Sequence, residues 1–222
     1  MGRVRHINQD SFLERVEAGI WAVADGLGGH ADGEVASRMV CDALADLAPA
    51  ATLEGTVEGV AQRLQQVNEH LLLTATRSLL ADRCGSTVVA LMVRGTRLAI
   101  LWAGDSRAYR WRAGGLEQLT RDHSAVPRPG PGRPESSAIT RAVGAEATLS
   151  LDVVWNEVRA GDRYLLCSDG LTRTVSDSGL ALGMAVSDIR AAVDGLISTT
   201  LEAGAPDNVT VLIAEANGSP AP

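Results

Sequence analysis

Three apolar runs in this sequence each end abruptly at an aspartate that lies next to a glycine. They are WAVADGLGGH at residues 21–30, RLAILWAGDSR at residues 97–107 and RYLLCSDGL at residues 163–171. Apolar runs of this length, bounded by turn residues, are typical of buried β-strands. Glycine leaves the backbone free to bend sharply where such a strand ends. The fold must therefore accommodate poorly hydrated carboxylates at the ends of buried strands.

The segments between and after these runs predict an α+β fold. Apolar residues spaced three and four apart predict two consecutive helices over residues 33–47 and 53–80, and a further helix is expected over residues 187–202. The turn Arg94-Gly95-Thr96 separates two β-rich runs and predicts a hairpin, hence an antiparallel sheet. The predicted strands cover residues 86–93, 97–103, 108–111, 149–155, 164–167 and 209–214.

A chain of 222 residues is long enough to bury a sizeable core, and a single domain is the simplest arrangement. We expect that domain to cover residues 1–216 and residues 217–222, NGSPAP, to form a frayed tail. The segment VPRPGPGRPESS, residues 126–137, contains too much proline and glycine for a regular element. It predicts a short Pro-rich flap rather than part of the core.

The composition excludes some classes of partner. The net charge is −7 and no run of basic residues is present, which argues against nucleic-acid binding. The most apolar region, residues 87–103, is interrupted by Arg94 and Arg97, and the N-terminus lacks an apolar signal-peptide core. Three widely spaced cysteines are expected to be core thiols of a reducing compartment. We therefore expect a cytoplasmic protein without a membrane partner.

Four aspartates at the ends or beginnings of apolar strands form the candidate site: Asp25, Asp105, Asp169 and Asp207. Each of them alone is equally typical of a turn or cap, where Asp, Asn and Gly are common. If they converge, however, their mutual repulsion is unfavourable unless one carboxylate is protonated or a cation binds. Oxygen ligands favour magnesium, manganese or calcium, whereas zinc prefers His and Cys. The pattern therefore predicts a site for hard divalent cations.

Eight motifs follow one another along the chain: VRHINQD (4–10), VADGLGGHADGEVAS (23–37), GSTVV (85–89), AGDSRAYR (103–110), LTRDHS (119–124), ITRAVG (139–144), LLCSDGL (165–171) and PDNVTVLI (206–213). Together they make the chain similar to the metal-dependent protein serine/threonine phosphatases of type 2C, in particular to their bacterial branch. The resemblance implies a four-layer α-β-β-α sandwich, in which two packed antiparallel sheets are flanked by helices and a dinuclear metal centre lies at one end.

The same resemblance implies a ligand for each metal, which would be Mn²⁺ or Mg²⁺. Asp25 would bridge two core ions about 4 Å apart, and the carbonyl of Gly26 would bind the second ion. Asp169 and Asp207 would complete the shell of the first ion. Asp105, together with Asp169, would hold a third, more weakly bound ion.

Two further residues take catalytic roles by this resemblance. Asp10 would order metal-bound water from outside the metal shell, and Arg5 would bind the substrate phosphate with its guanidinium fork. Leu27 stands where some members have a proton-donating histidine, and His30 follows the double glycine. His6 and His123 are expected to be structural. The identity of a general acid therefore stays open.

The resemblance implies an enzyme that hydrolyses phosphoserine and phosphothreonine on proteins, acts as a monomer, and opposes a serine/threonine kinase of the same bacterium. Two alternatives stay open from the residues. One is a binding module that keeps the fold without activity. Against it stands the presence of all five charged site residues: Arg5, Asp25, Asp105, Asp169 and Asp207. The other is an enzyme for small phosphate esters or another phosphoresidue.

Overall fold

The computed structural model describes residues 2–28, 31–77, 84–125 and 138–217. Its ten strands are β1 (Asp10–Arg15), β2 (Ile20–Leu27), β3 (Gly85–Ser86), β4 (Val88–Arg94), β5 (Arg97–Ala103), β6 (Arg107–Arg112), β7 (Gly115–Gln118), β8 (Asp152–Glu157), β9 (Arg163–Cys167) and β10 (Val211–Glu215). Its five α-helices are α1 (Ala31–Ala45), α2 (Leu53–Arg77), α3 (Asp169–Thr172), α4 (Asp177–Met184) and α5 (Ile189–Glu202).

The strands form two antiparallel sheets. The first has the order β1-β2-β4-β5-β8, with the short β3 paired to the end of β2. The second has the order β10-β9-β6-β7. In the first sheet β4 and β5 form the predicted hairpin, with Arg94 opposite Arg97 at its turn.

The period of two along β4 divides its side chains between two cores. Val89 and Leu91 contact Tyr164 and Leu166 of the second sheet, so the two sheets pack face to face. Val88, in contrast, is buried against the helices on the other face of the first sheet. Strands that are buried on both faces read as continuous apolar runs, which explains this part of the sequence.

Helices cover both outer faces. The apolar stripe of α2, which includes Val60 and Leu64, is buried with α1 against the first sheet. Leu180 of α4 and Leu196 of α5 are buried against the outer face of the second sheet. This is the predicted α-β-β-α sandwich, and the prediction of the fold class is confirmed. Among the described helices, none is long and apolar enough to cross a membrane.

Several boundaries differ from the sequence prediction. The strand predicted over residues 149–155 pairs only from Asp152, because Leu149 and Leu151 pack into the helix-covered core instead of joining the sheet. The sequence analysis missed β1, β7 and the helices α3 and α4. The predicted flap, residues 126–137, and the tail beyond residue 217 lie outside the described residues.

Candidate metal centre

The candidate site lies where β2 and β9 end and β1 and β10 begin. Asp10, the first residue of β1, pairs with Asp25 near the end of β2. Ser168 follows β9 directly and donates a hydrogen bond of 2.7 Å to Asp10 Oδ2, and Asp169 is the first residue of α3. This bond joins the ends of the two sheets. The antiparallel pairing therefore brings strand-end carboxylates from both sheets together.

Three of the four predicted strand-end aspartates line one cleft of about 370 Å³: Asp25, Asp169 and Asp207. Arg5 and Gly26 also line it. The two other predicted residues, Asp10 and Asp105, are buried and are not part of the lining of this cleft. Other residues of the cleft are Gln9, Leu27, Gly28, Ile139 and Arg173.

The backbone around Asp25 is held firmly on the neighbouring strands. The Asp25 N–H donates to Thr87 Oγ1 at 3.0 Å, and its carbonyl accepts from the Thr87 N–H at 2.8 Å. Thr87 Oγ1 lies 2.7 Å from the hydroxyl of Ser106, the residue after Asp105. A Cβ on Gly26 would lie only 2.0 Å from the carbonyl oxygen of Gly33, so only glycine fits there. These contacts fix Asp25 and Gly26 of β2 in place next to the first turn of α1.

Two guanidinium groups contact the carboxylates of the cleft. Arg5 donates two hydrogen bonds of 3.0 Å to Asp207, from Nε to Oδ1 and from Nη2 to Oδ2. Arg173 lies 2.5 Å from Asp169 and 4.0 Å from Asp207. Both arginine side chains are about half exposed, at 52% and 46%. The cleft therefore combines carboxylates with positive groups that can also face an incoming anion.

Within the described residues, three buried carboxylate oxygens have no hydrogen-bond partner: Oδ1 of Asp10, of Asp105 and of Asp169. The other oxygen of Asp10 is well satisfied, because it accepts from Ser168 and, at 2.8 Å, from Thr210. A buried acceptor without a partner is unfavourable by about 1–3 kcal/mol, and more if it is charged. Three such oxygens next to one cleft indicate that a cation or water belongs there.

The pKa shifts of the site carboxyl groups also indicate a cation site. Burial raises the pKa of the Asp25 carboxyl well above its usual range, and the charges of Asp10, Asp169 and Asp105 raise it further. Burial, and then the charge of Asp105, raises the pKa of Asp169 to about 6. Burial is also the main cause of the raised pKa of Asp10 and of Asp105. A divalent cation would reverse these shifts because it stabilises the charged carboxylates.

In the part of the chain that the structure describes, no three His, Cys, Asp or Glu side chains are arranged as a complete metal shell. Arg5 and Arg173 instead neutralise Asp207 and Asp169. The donor set is nevertheless made of oxygen alone, and it includes unpartnered buried oxygens. The residues therefore fit hard divalent cations such as manganese and magnesium.

Sequence analysis missed Arg173 and Asn208. The spacing of four residues between Asp169 and Arg173 at the start of a helix was a usable signal, because such pairs face each other on one side of a helix. Asn208 is buried and joins the segment before β1 to the Asp207 loop. Its Oδ1 accepts from the Gln9 N–H at 2.9 Å, and its Nδ2 donates to the Ile7 carbonyl at 3.1 Å.

His123 has the contacts of a structural residue. Its ring stacks on Trp102, its Nδ1 lies 3.3 Å from the Gly104 N–H, and its Nε2 lies 3.1 Å from Asp152. These contacts hold the turn that contains Asp105. The candidate acid His30 lies outside the described residues, and Leu27 lines the cleft where a histidine stands in some members of the family.

Known proteins match the chain over most of its length. The model of the protein phosphatase 2C family matches residues 3–189. The serine/threonine protein phosphatase PstP of Mycobacterium tuberculosis is 36% identical over 228 residues, which cover 96% of this chain and 43% of PstP. The chain thus spans less than half the length of that relative.

Two solved structures resemble the chain closely. PppA, a key regulatory component of T6SS in Pseudomonas aeruginosa, is 42% identical with a TM-score of 0.88, and the match covers 96% of this chain and 92% of PppA. The catalytic domain of PstP in complex with 2 manganese ions is 36% identical with a TM-score of 0.86, over 98% of this chain and 95% of that domain. At these identities the likeness covers both the fold and the sequence.

Proposed function

Because the chain belongs to the protein phosphatase 2C family, we propose that it hydrolyses phosphoserine and phosphothreonine on proteins with manganese or magnesium as cofactor. The observation that most supports this proposal is the convergence of Asp25, Asp169 and Asp207 in one cleft with Arg5. Carboxylates provide oxygen ligands for hard cations, and the guanidinium suits phosphate. The cleft thus offers both chemistries that metal-assisted phosphate hydrolysis needs.

Asp25, Gly26, Asp169 and Asp207 would hold two ions, and Asp105 would share a third, weaker ion with Asp169. Bound divalent ions lower the pKa of water and screen the negative charge of a phosphate. The unpartnered Oδ1 atoms of Asp105 and Asp169 support their assignment as ligands. Gly26, near the end of β2, lines the cleft and is packed against the Gly33 carbonyl, which supports a backbone ligand there.

Asp10 would orient water without binding a metal. Ser168 and Thr210 fix one of its carboxylate oxygens, so the other is left to accept a hydrogen bond from a water of the site. Such outer partners commonly tune the groups that bind a metal. The raised pKa of Asp10, caused mainly by burial, fits a carboxylate that needs such a partner.

Arg5 and Arg173 would orient the phosphate. Arg5 uses only part of its five N–H donors on Asp207, and its side chain is half exposed at the cleft. Arg173 stands beside it with 46% of its side chain exposed. Both can therefore contact an anion without leaving the carboxylates that position them.

We further propose that residues 1–216 form one catalytic domain that works in the cytoplasm as a monomer and opposes a serine/threonine kinase. Free cysteines support a reducing compartment, since Cys41 and Cys167 are buried thiols. The continuous packing of both sheets and all five helices supports a single domain. Neither the kinase nor the substrate protein is specified by a residue of this chain.

The activity can be tested on matched phosphoserine, phosphothreonine and phosphotyrosine peptides with manganese present. The proposal predicts hydrolysis of the first two and much slower hydrolysis of the third. Asp25→Asn, which keeps the shape of the side chain but removes its charge, should abolish the activity. Hydrolysis of small phosphate esters alone would favour the alternative enzyme, and failure on every substrate would favour the binding module.

A further inference from the structure

A second, smaller cleft of about 260 Å³ lies beside the candidate metal centre. It shares the lining residues Leu27 and Ile139 with the cleft of the candidate metal centre (the catalytic cleft), so the two clefts are adjacent. We call it the side cleft. Its remaining apolar lining is formed by Cys84, Ala142 and Ala145.

The walls of the side cleft are preformed. Val143 forms a β-bridge to Ser86 on β3, with two backbone hydrogen bonds of 2.8 and 2.9 Å. The fully buried Asn68 of α2 accepts from the Gly144 N–H at 2.7 Å and donates to the Glu146 carbonyl at 2.8 Å. A pocket held in this way needs little ordering when it binds, which favours affinity.

Gly144 is required for this shape. Its φ is +90°, and a Cβ would lie 2.7 Å from the Cys84 carbonyl oxygen and 3.1 Å from the side chain of Leu71. Glycine alone adopts this conformation at low cost. The backbone of residues 142–146 can therefore follow β3 closely and leave the space of the side cleft beside the metal centre.

Two of the polar side chains around the side cleft are already paired. The thiol of Cys84 donates to the Asp32 carbonyl at 2.9 Å, so it forms part of the wall. The Arg141 guanidinium pairs with Asp152 at 2.8 Å. Thr140 and Glu146, which also line the side cleft, are exposed to solvent. The less exposed part of its lining is therefore apolar, which favours an apolar group of a ligand.

We propose that the side cleft receives the apolar side chain of a residue adjacent to the phosphorylated serine or threonine of a protein substrate. This inference rests on the proposed function. Because the side cleft is adjacent to the catalytic cleft, a peptide whose phosphate lies at the aspartates can place a neighbouring side chain there. The site would thus select phosphoproteins with an apolar residue next to the phosphorylated position.

The test compares phosphothreonine peptides that differ in one flanking position, with leucine or aspartate on either side of the phosphothreonine. The wild-type protein should hydrolyse the leucine peptide of one side at least about tenfold more efficiently, in kcat/KM, than its aspartate partner. Ala145 is exposed and lines the side cleft, so Ala145→Trp should fill it without damaging the core. This variant should lose the preference and keep its rate on para-nitrophenyl phosphate, which has no flanking residue.

Ala147→Trp is the matched control, because Ala147 is exposed in the same turn but does not line the side cleft. It should keep the wild-type preference. Ala145→Leu, a smaller change, should reduce the preference partly and guards against misfolding of the tryptophan variant. Equal rates on leucine and aspartate peptides, or an Ala145→Trp protein with an intact preference, would overturn the inference alone. Absence of hydrolysis of all peptides and of para-nitrophenyl phosphate would instead overturn the proposed function, and the inference with it.

Discussion

Asn208 provides a sharp test of how the catalytic cleft is assembled. It is 4% exposed and connects two segments that are far apart in sequence: the one with Arg5 and the one with Asp207. Asn208→Ala removes the hydrogen bonds to the Gln9 N–H and to the Ile7 carbonyl. The N-terminal segment should then lose its fixed position at the cleft.

The expected loss follows from these two bonds. A neutral intramolecular hydrogen bond contributes about 0.5–1.5 kcal/mol, so the free energy of unfolding should fall by about 2 kcal/mol. For a chain of this size that corresponds to a decrease of about 4–8 °C in the thermal midpoint. The kcat/KM for phosphopeptides should fall as well, because Arg5 would be less well positioned.

Urea denaturation and a thermal scan would measure these changes. Asn217→Ala is the matched control, since Asn217 is exposed and its side chain makes no hydrogen bond that the structure records. It should change the free energy of unfolding by less than about 0.5 kcal/mol. The reasoning would be refuted if Asn208→Ala were as mild as this control.

Three other changes test separate parts of the account. Gly26→Ala should lower the free energy of unfolding by about 1–3 kcal/mol, because the new Cβ would overlap the backbone at Gly33. Gly195→Ala in α5 should raise it by about 0.5–1 kcal/mol, because no atom lies within 4 Å of the new Cβ. A urea titration that ranks the two variants in the opposite order would contradict the packing described for Gly26. Asp105→Ala should still bind two manganese ions by calorimetry but hydrolyse phosphopeptides at least about tenfold more slowly. If this variant binds no metal, Asp105 is instead a ligand of the two core ions. Arg173→Gln should change the free energy of unfolding by less than about 1 kcal/mol, because the Arg173 side chain in its pair with Asp169 is half exposed. It should also tighten manganese binding in the calorimetric titration. Weaker binding would show that Arg173 supports the metal site.

Strands and helices that leave a hydrophobic pattern within their own residues could be predicted from the sequence. The buried strands β2 and β9 were visible because each leaves a continuous apolar run, although β2 continues through Asp25-Gly26 to Leu27 instead of ending there. The helix α2 was visible through its three-and-four spacing. In both cases the signal lies within one element, so no knowledge of its neighbours is needed.

Other features depend on partners that are distant in sequence. The strand β1 was missed because DSFLER is largely polar and its one aromatic residue, Phe12, is 63% exposed, so its pairing with β2 defines it. The ion pair of Arg5 with Asp207 spans 202 positions, and no local rule predicts it. The resemblance implies that Arg5 binds the substrate phosphate, which stays a prediction; the structure shows that Arg5 lines the cleft and pairs with Asp207.

The central claim is that the strand-end carboxylates bind divalent cations that the hydrolysis requires. Manganese can be titrated by calorimetry into the chelator-treated protein while turnover of a phosphothreonine peptide is followed along the same titration. Turnover should rise with manganese occupancy, and Asp25→Ala should lose both together, because this carboxylate would bridge two ions. Full turnover in the chelator-treated protein, or undiminished manganese binding by Asp25→Ala, would contradict the claim.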